Sequence, residues 1–192
     1  MKIIWIIGSP RSGTSFLTDC IGKHADHCFN EPWDKYPLGF HQKWKLPEGL
    51  IVFKYCANCL YYDEIKTIYP NSKWVHIIRN PIHVLYSMVF PKEKSKPIRE
   101  WKEFGFGDAR IINAFNKWKS ITLSSLKIKE AKVICYENID YFSLSNFLEI
   151  KVEPQNFINR NNIFEQEKMN YLKNKLSENE LNPYKILSKI YL

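Results

Sequence analysis

KIIWIIGSPRSGTSFL, residues 2–17, joins an unbroken apolar run to a glycine-bounded loop and then to the start of a helical pattern. Ile3 to Ile7 reads as a buried strand, and the helix is expected from Thr14 to about His24, with Phe16, Leu17, Cys20 and Ile21 recurring on its inward face. Between them lies GSPRSGTS, residues 8–15, whose backbone N–H groups can converge on a tetrahedral anion at the helix start. Gly8 and Gly13 stand at Walker A spacing, but Thr14 occupies the position of the Walker lysine, so Arg11 supplies the cation. Thr14 and Ser15 have two compatible jobs, capping the helix and giving hydroxyl hydrogen bonds to an anion.

Outward from this unit the strand-loop-helix plan recurs. Strands are expected at Leu50 to Tyr55, Lys73 to Ile78 and Ala131 to Tyr136, and helices at Tyr61 to Ile68, after Asn80-Pro81, Asp108 to Ser125, Tyr141 to Leu148 and Glu165 to Leu176. Phe29 to Gly49, with several prolines and aromatics, reads as an irregular excursion, and the charged segment Lys92 to Lys102 as a solvated flap. Strands that are continuous apolar runs alternating with helices predict an α/β protein. The expected architecture is a three-layer α/β/α sandwich with a central parallel sheet, formed as a single domain over residues 1–192. Ligands of such sheets bind at the carboxyl ends of the strands, where Gly8, Lys54, Arg79 and Tyr136 fall.

Those strand ends carry a chemical signal of their own. A triphosphate-using enzyme of this class needs an acidic group near a strand end to organise magnesium, whereas the second and third strands here run into Lys54 and Arg79. A pocket lined in this way neutralises an anion with side chains, and no metal is expected. Arg79, followed one helical segment later by Ser87, offers a second anion contact. Glu137, after the last strand, is the one residue that sustains a rival reading as a magnesium-dependent, kinase-like phosphotransferase.

GSPRSGTSFL at 8–17 together with HIIRNPIHVLYS at 76–87 resembles the two nucleotide-binding motifs of the sulfotransferases that use 3′-phosphoadenosine 5′-phosphosulfate, abbreviated PAPS. FNEPW at 29–33, the strand ending in Lys54 and VICYENI at 133–139 extend the resemblance to about residue 140. It implies a P-loop nucleotide-hydrolase-like fold, PAPS as donor and 3′-phosphoadenosine 5′-phosphate (PAP) as product. It further implies contacts to the 5′ phosphosulfate from Arg11, Ser12, Gly13, Thr14 and Ser15, and to the 3′ phosphate from Arg79 and Ser87. Phe16 and Tyr136 match aromatics beside the nucleotide. Lys54 and Arg11 would stand near the leaving 5′-phosphate oxygens, and Glu31, in a Glu-Pro setting similar to that of carbohydrate sulfotransferases, would be the general base. His41 is the second candidate for the base. The chain departs from the cytosolic branch at Cys56, where that branch has a histidine. It also lacks that branch's arginine-lysine-glycine segment, for which Arg160 is a loose substitute.

Composition bounds the alternatives. The 192 residues carry 28 Lys plus Arg against 20 Asp plus Glu, a formal net charge of +8 that favours an anionic partner. The basic residues are dispersed and no zinc-finger, basic-zipper or arginine-rich pattern accompanies them, so no nucleic acid is expected. Five cysteines without a regular framework suggest a reducing compartment, and no apolar run reaches membrane length; the expected location is cytoplasmic. Cys56 and Cys59 form a lone C-x-x-C pair with no second pair at zinc-finger spacing. The expected acceptor is a hydroxyl of a carbohydrate, glycolipid or small metabolite, against which Trp33, Tyr36, Phe40 and Trp44 either stack or form an apolar cluster. A catalytically silent nucleotide-binding module is the remaining rival.

Overall fold

A computed structural model of the chain describes residues 1–32, 34–90, 107–154, 165–179 and 181–184. Trp33, Lys92 to Lys102, Gly105 and Arg160 therefore lie outside the described residues. Five strands form one parallel sheet in the order β2-β3-β1-β4-β5: β1 (Lys2–Ile7), β2 (His27–Asn30), β3 (Leu50–Lys54), β4 (Lys73–Ile78) and β5 (Lys132–Cys135). β1 is central and flanked on both sides, which is why Ile3 to Ile7 is apolar at every position rather than at alternate ones.

Helices cover both faces. Ile4, Ile6, Val52, Val75 and Ile77 point toward α1 (Thr14–Gly22) and the helix Tyr141–Leu148, meeting Leu17, Cys20, Ile21, Leu144 and Leu148. Ile3, Trp5, Ile51, Phe53 and Trp74 point the other way, toward Ile65 of α2 (Tyr62–Ile68) and Ile121 of the long helix Gly107–Leu126. In chain order α3 is Pro81–Val89, α4 is Gly107–Leu126, α5 is Tyr141–Leu148 and α6 is Gln166–Glu178. α3, α4 and α6 share a further apolar cluster built on Leu85, Met88, Phe115, Trp118 and Leu172.

One element departs from expectation. The irregular excursion predicted from Phe29 begins instead within β2, a parallel edge strand paired with β3 from His27↔Ile51 to Asn30↔Lys54. Its burial alternates half-buried and exposed along four residues, so it lacks the continuous apolar run that marks the inner strands. Its register has a direct consequence, because setting Asn30 opposite Lys54 delivers the next residue, Glu31, to the carboxyl end of β3.

Candidate functional site

The chain leaves β1 through Gly8, which has φ 146° and lies so close to β4 that an added Cβ would stand 2.5 Å from the Ile77 carbonyl oxygen. Ser12 closes the loop by donating from both its N–H and its hydroxyl to the Ser9 carbonyl, at 3.1 and 2.7 Å. Gly13, in the left-handed region at φ 103°, stands at the N-cap of α1 with no side chain capping the first turn, and that turn carries no acidic residue. The expectation that Thr14 or Ser15 caps the helix is therefore corrected: the cap position belongs to a glycine, and no side chain caps the first turn.

In front of that turn is a cavity of about 240 Å³ lined by Pro10, Arg11, Gly13, Thr14, Ser15, Phe16, Glu31, Lys54 and Arg79. Among the described residues three cations meet one carboxylate there. Arg79 Nη1 donates to the Arg11 carbonyl at 3.4 Å, its guanidinium lies 4.5 Å from the centroid of the Tyr136 ring, and Nε is 3.9 Å from Glu137 Oε1. Partial desolvation, with the Arg79 guanidinium second, lowers the Arg11 pKa below its usual value. On the opposite wall Lys54 Nζ is 3.3 Å from Glu31 Oε1, and the Glu31 N–H donates to the Lys54 carbonyl at 2.9 Å. Arg11 and Glu31, at φ 70° and 49°, both hold left-handed backbone that costs a non-glycine residue about 1 kcal/mol or more. Two such residues facing one cavity point to shape held for use.

Four of the expected residues lie elsewhere. Ser12 is buried in the loop's own turn. Ser87, on α3, donates its hydroxyl to the His83 carbonyl at 2.9 Å and does not line the cavity. Tyr136 stands behind it, edge-on to Phe16 at 5.7 Å and against Gly13, where an added Cβ would meet Tyr136 Cδ2 at 2.3 Å. His41 is drawn into the apolar core: it is fully buried, with Nδ1 3.1 Å from Glu64 Oε1 and Nε2 3.4 Å from Asn58 Oδ1, and it packs on Trp44 and Tyr61. Tyr36 and Trp44 are core residues too, whereas Phe40 is exposed.

Two further groups stand beside the cavity, Cys56, noted in the sequence for replacing a histidine, and Asp19, which the sequence reading did not single out. The Cys56 thiol lies 3.8 Å from Thr14 Oγ1, and burial pushes its pKa up to about 12, so it stays neutral. Asp19 faces the Lys54 charge, and desolvation raises its pKa. The signal for Asp19 was its place four residues after Ser15, one turn along the same helix face. Glu137, the residue on which the kinase reading depends, accepts the Asn80 N–H at 3.0 Å and the Cys135 thiol at 3.2 Å as well as facing Arg79. Among the described residues no cluster of three or more His, Cys, Asp or Glu could hold a metal ion, and no helix is long and apolar enough to cross a membrane.

No family model matches the sequence, and no curated protein matches it. Among solved structures the chain is similar to mouse sulfotransferase SULT7A1 complexed with PAP, at 20% identity and a TM-score of 0.54, over 94% of this chain and 67% of that one. The fold is that of a sulfotransferase. What the two share is the parallel central sheet flanked by helices.

Proposed function

We propose that this sulfotransferase-fold protein moves the sulfuryl group of PAPS to a hydroxyl of a carbohydrate, glycolipid or small metabolite. The observation that carries the reading is the convergence of Arg11, Lys54 and Arg79 with a single carboxylate, Glu31, in front of an uncapped helix start. A cavity of about 240 Å³ suits the phosphosulfate end of the donor, with the adenosine on the open surface beside Phe16 and Arg79.

In the reaction the acceptor oxygen forms a bond to sulfur while the bond from sulfur to the 5′-phosphate oxygen breaks. The electron pair stays on that phosphate oxygen, and the acceptor proton passes to the Glu31 carboxylate. Lys54, Arg11 and the first-turn N–H groups of α1 neutralise the leaving phosphate, which is charge stabilisation by groups already in place. Tyr136, Ser12 and Ser87 act from behind by fixing the loop and α3. Cys56 keeps its proton and leaves the base role to Glu31.

The reading is tested by incubating the protein with sulfur-labelled PAPS and a panel of sugars, glycolipids and phenolic or aliphatic alcohols, with chelator present. Label transfer is expected, and Glu31→Gln should lower the rate by about 10²–10⁴-fold while nucleotide binding persists. Phosphoryl transfer from magnesium-ATP to the same panel, without sulfuryl transfer, would overturn it.

A further inference from the structure

We infer that Lys54 exchanges partners during the cycle: in the unliganded protein it holds Glu31, and the donor phosphate takes the ammonium over and releases the carboxylate for the acceptor hydroxyl. The inference rests on the function proposed above and adds an order of events to it, donor before acceptor.

Lys54 is only 8% exposed, so its ammonium has little water to replace a lost counter-charge. Glu31 is the one carboxylate among the described residues lining the cavity, and its Oε1 lies 3.3 Å from Lys54 Nζ. The pair is imposed by the backbone: β2 and β3 end in register at Asn30↔Lys54, and the Glu31 N–H is bonded to the Lys54 carbonyl. No separate folding choice brings the two charges together. Other ionisable groups surround the pair, and the Cys56 thiol is a hydrogen-bond partner of Glu31. Arg11 and Arg79 are cations on the loop and β4 side, and the Cys56 thiol is neutral. Glu31 and Asp34 both act on the Tyr55 hydroxyl, and Asp19 faces Lys54 from α1 without lining the cavity. A phosphate arriving at the N-terminus of α1 comes within reach of the same ammonium, and two anions cannot both keep it without repelling one another. Three cations on the walls favour the incoming phosphate, and Glu31 is left free beside the transferring group.

Calorimetric titration with PAP of the wild type, Glu31→Gln, Lys54→Met and the double variant tests this. Removing the competing carboxylate is expected to tighten PAP binding by about five- to tenfold, an unusual outcome for a change at a catalytic base. Lys54→Met should weaken binding, and the gain from Glu31→Gln should shrink once Lys54 is gone. Unchanged or weaker binding by Glu31→Gln, or an equal gain in the Lys54→Met background, overturns the exchange while leaving the proposed function standing. Absence of PAP binding by the wild type overturns the function itself. If Glu31→Gln does not fold, a structure of the wild type with PAP decides: a Lys54 Nζ to Glu31 carboxylate distance still within 4 Å overturns the exchange, and a longer one supports it.

Discussion

Arg11 and Glu31 share an uncommon property, a left-handed backbone on a side chain that carries charge into the cavity. Such backbone is retained where its side chain is needed, so stability and binding should respond in opposite directions. Arg11→Gly is expected to leave the thermal midpoint unchanged or raise it, since glycine accepts φ 70° freely and one of two neighbouring guanidiniums is removed. PAP affinity should fall by about 10- to 100-fold, the scale of a charge-assisted hydrogen bond. Calorimetry and thermal unfolding of the same sample check both halves. At this scale the sequence was informative where chemistry depends on residue type and chain position: Arg11, Lys54, Arg79 and Glu31 all line the cavity. His41 shows the limit. Its imidazole is a plausible base by type, but only the packing of Trp44, Tyr61, Glu64 and Asn58 around it shows that it serves the core.

The elements divide by how much of their environment lies within their own sequence. β4 and α5 are legible to the residue, because a buried apolar run and an amphipathic helix capped by Asp140 carry their own signals. β2 was not legible, since an edge strand of four half-exposed residues is defined by its pairing to β3 and not by its composition. The loop between β1 and α1 is defined by contacts reaching across the fold, and Gly13 is its tightest point. Gly13→Ala would drive a methyl into the Tyr136 ring at a backbone angle that alanine resists. The expected cost is about 2–3 kcal/mol in stability, read as a lowered urea midpoint, together with loss of PAP binding. At the other loop, Asn80 accepts the Ile82 N–H at 3.0 Å and Pro81 occupies the first turn of α3. Asn80→Ala should lower stability by about 1 kcal/mol and weaken nucleotide binding through the adjacent Arg79.

For the whole molecule, the two faces of the sheet carry two of the three apolar clusters among the described residues, and an imidazole with no hydrogen bond to its Nδ1 from those residues sits between them. His76, on β4, is 1% exposed, and burial lowers its pKa to about 4. Below pH 6.5 the unfolded chain takes up a proton that the folded protein refuses until about pH 4, so stability is full above 6.5 and falls as the pH drops through that window. The contribution of this group is about 3 kcal/mol across the window. Urea unfolding at pH 7, 5.5 and 4.5 should show that slope in the wild type and a shallower one in His76→Leu; equal slopes would remove His76 as its source. The net charge of +8 and the cations gathered at the carboxyl end of the sheet agree in sign, and a site of this polarity should be filled by an anion without help from a divalent ion. Titration of the wild-type protein with PAP in chelator, beside ATP with magnesium in the same buffer, addresses that claim directly. Metal-independent binding of PAP in preference to magnesium-ATP is the predicted result; binding of magnesium-ATP with none of PAP would contradict it.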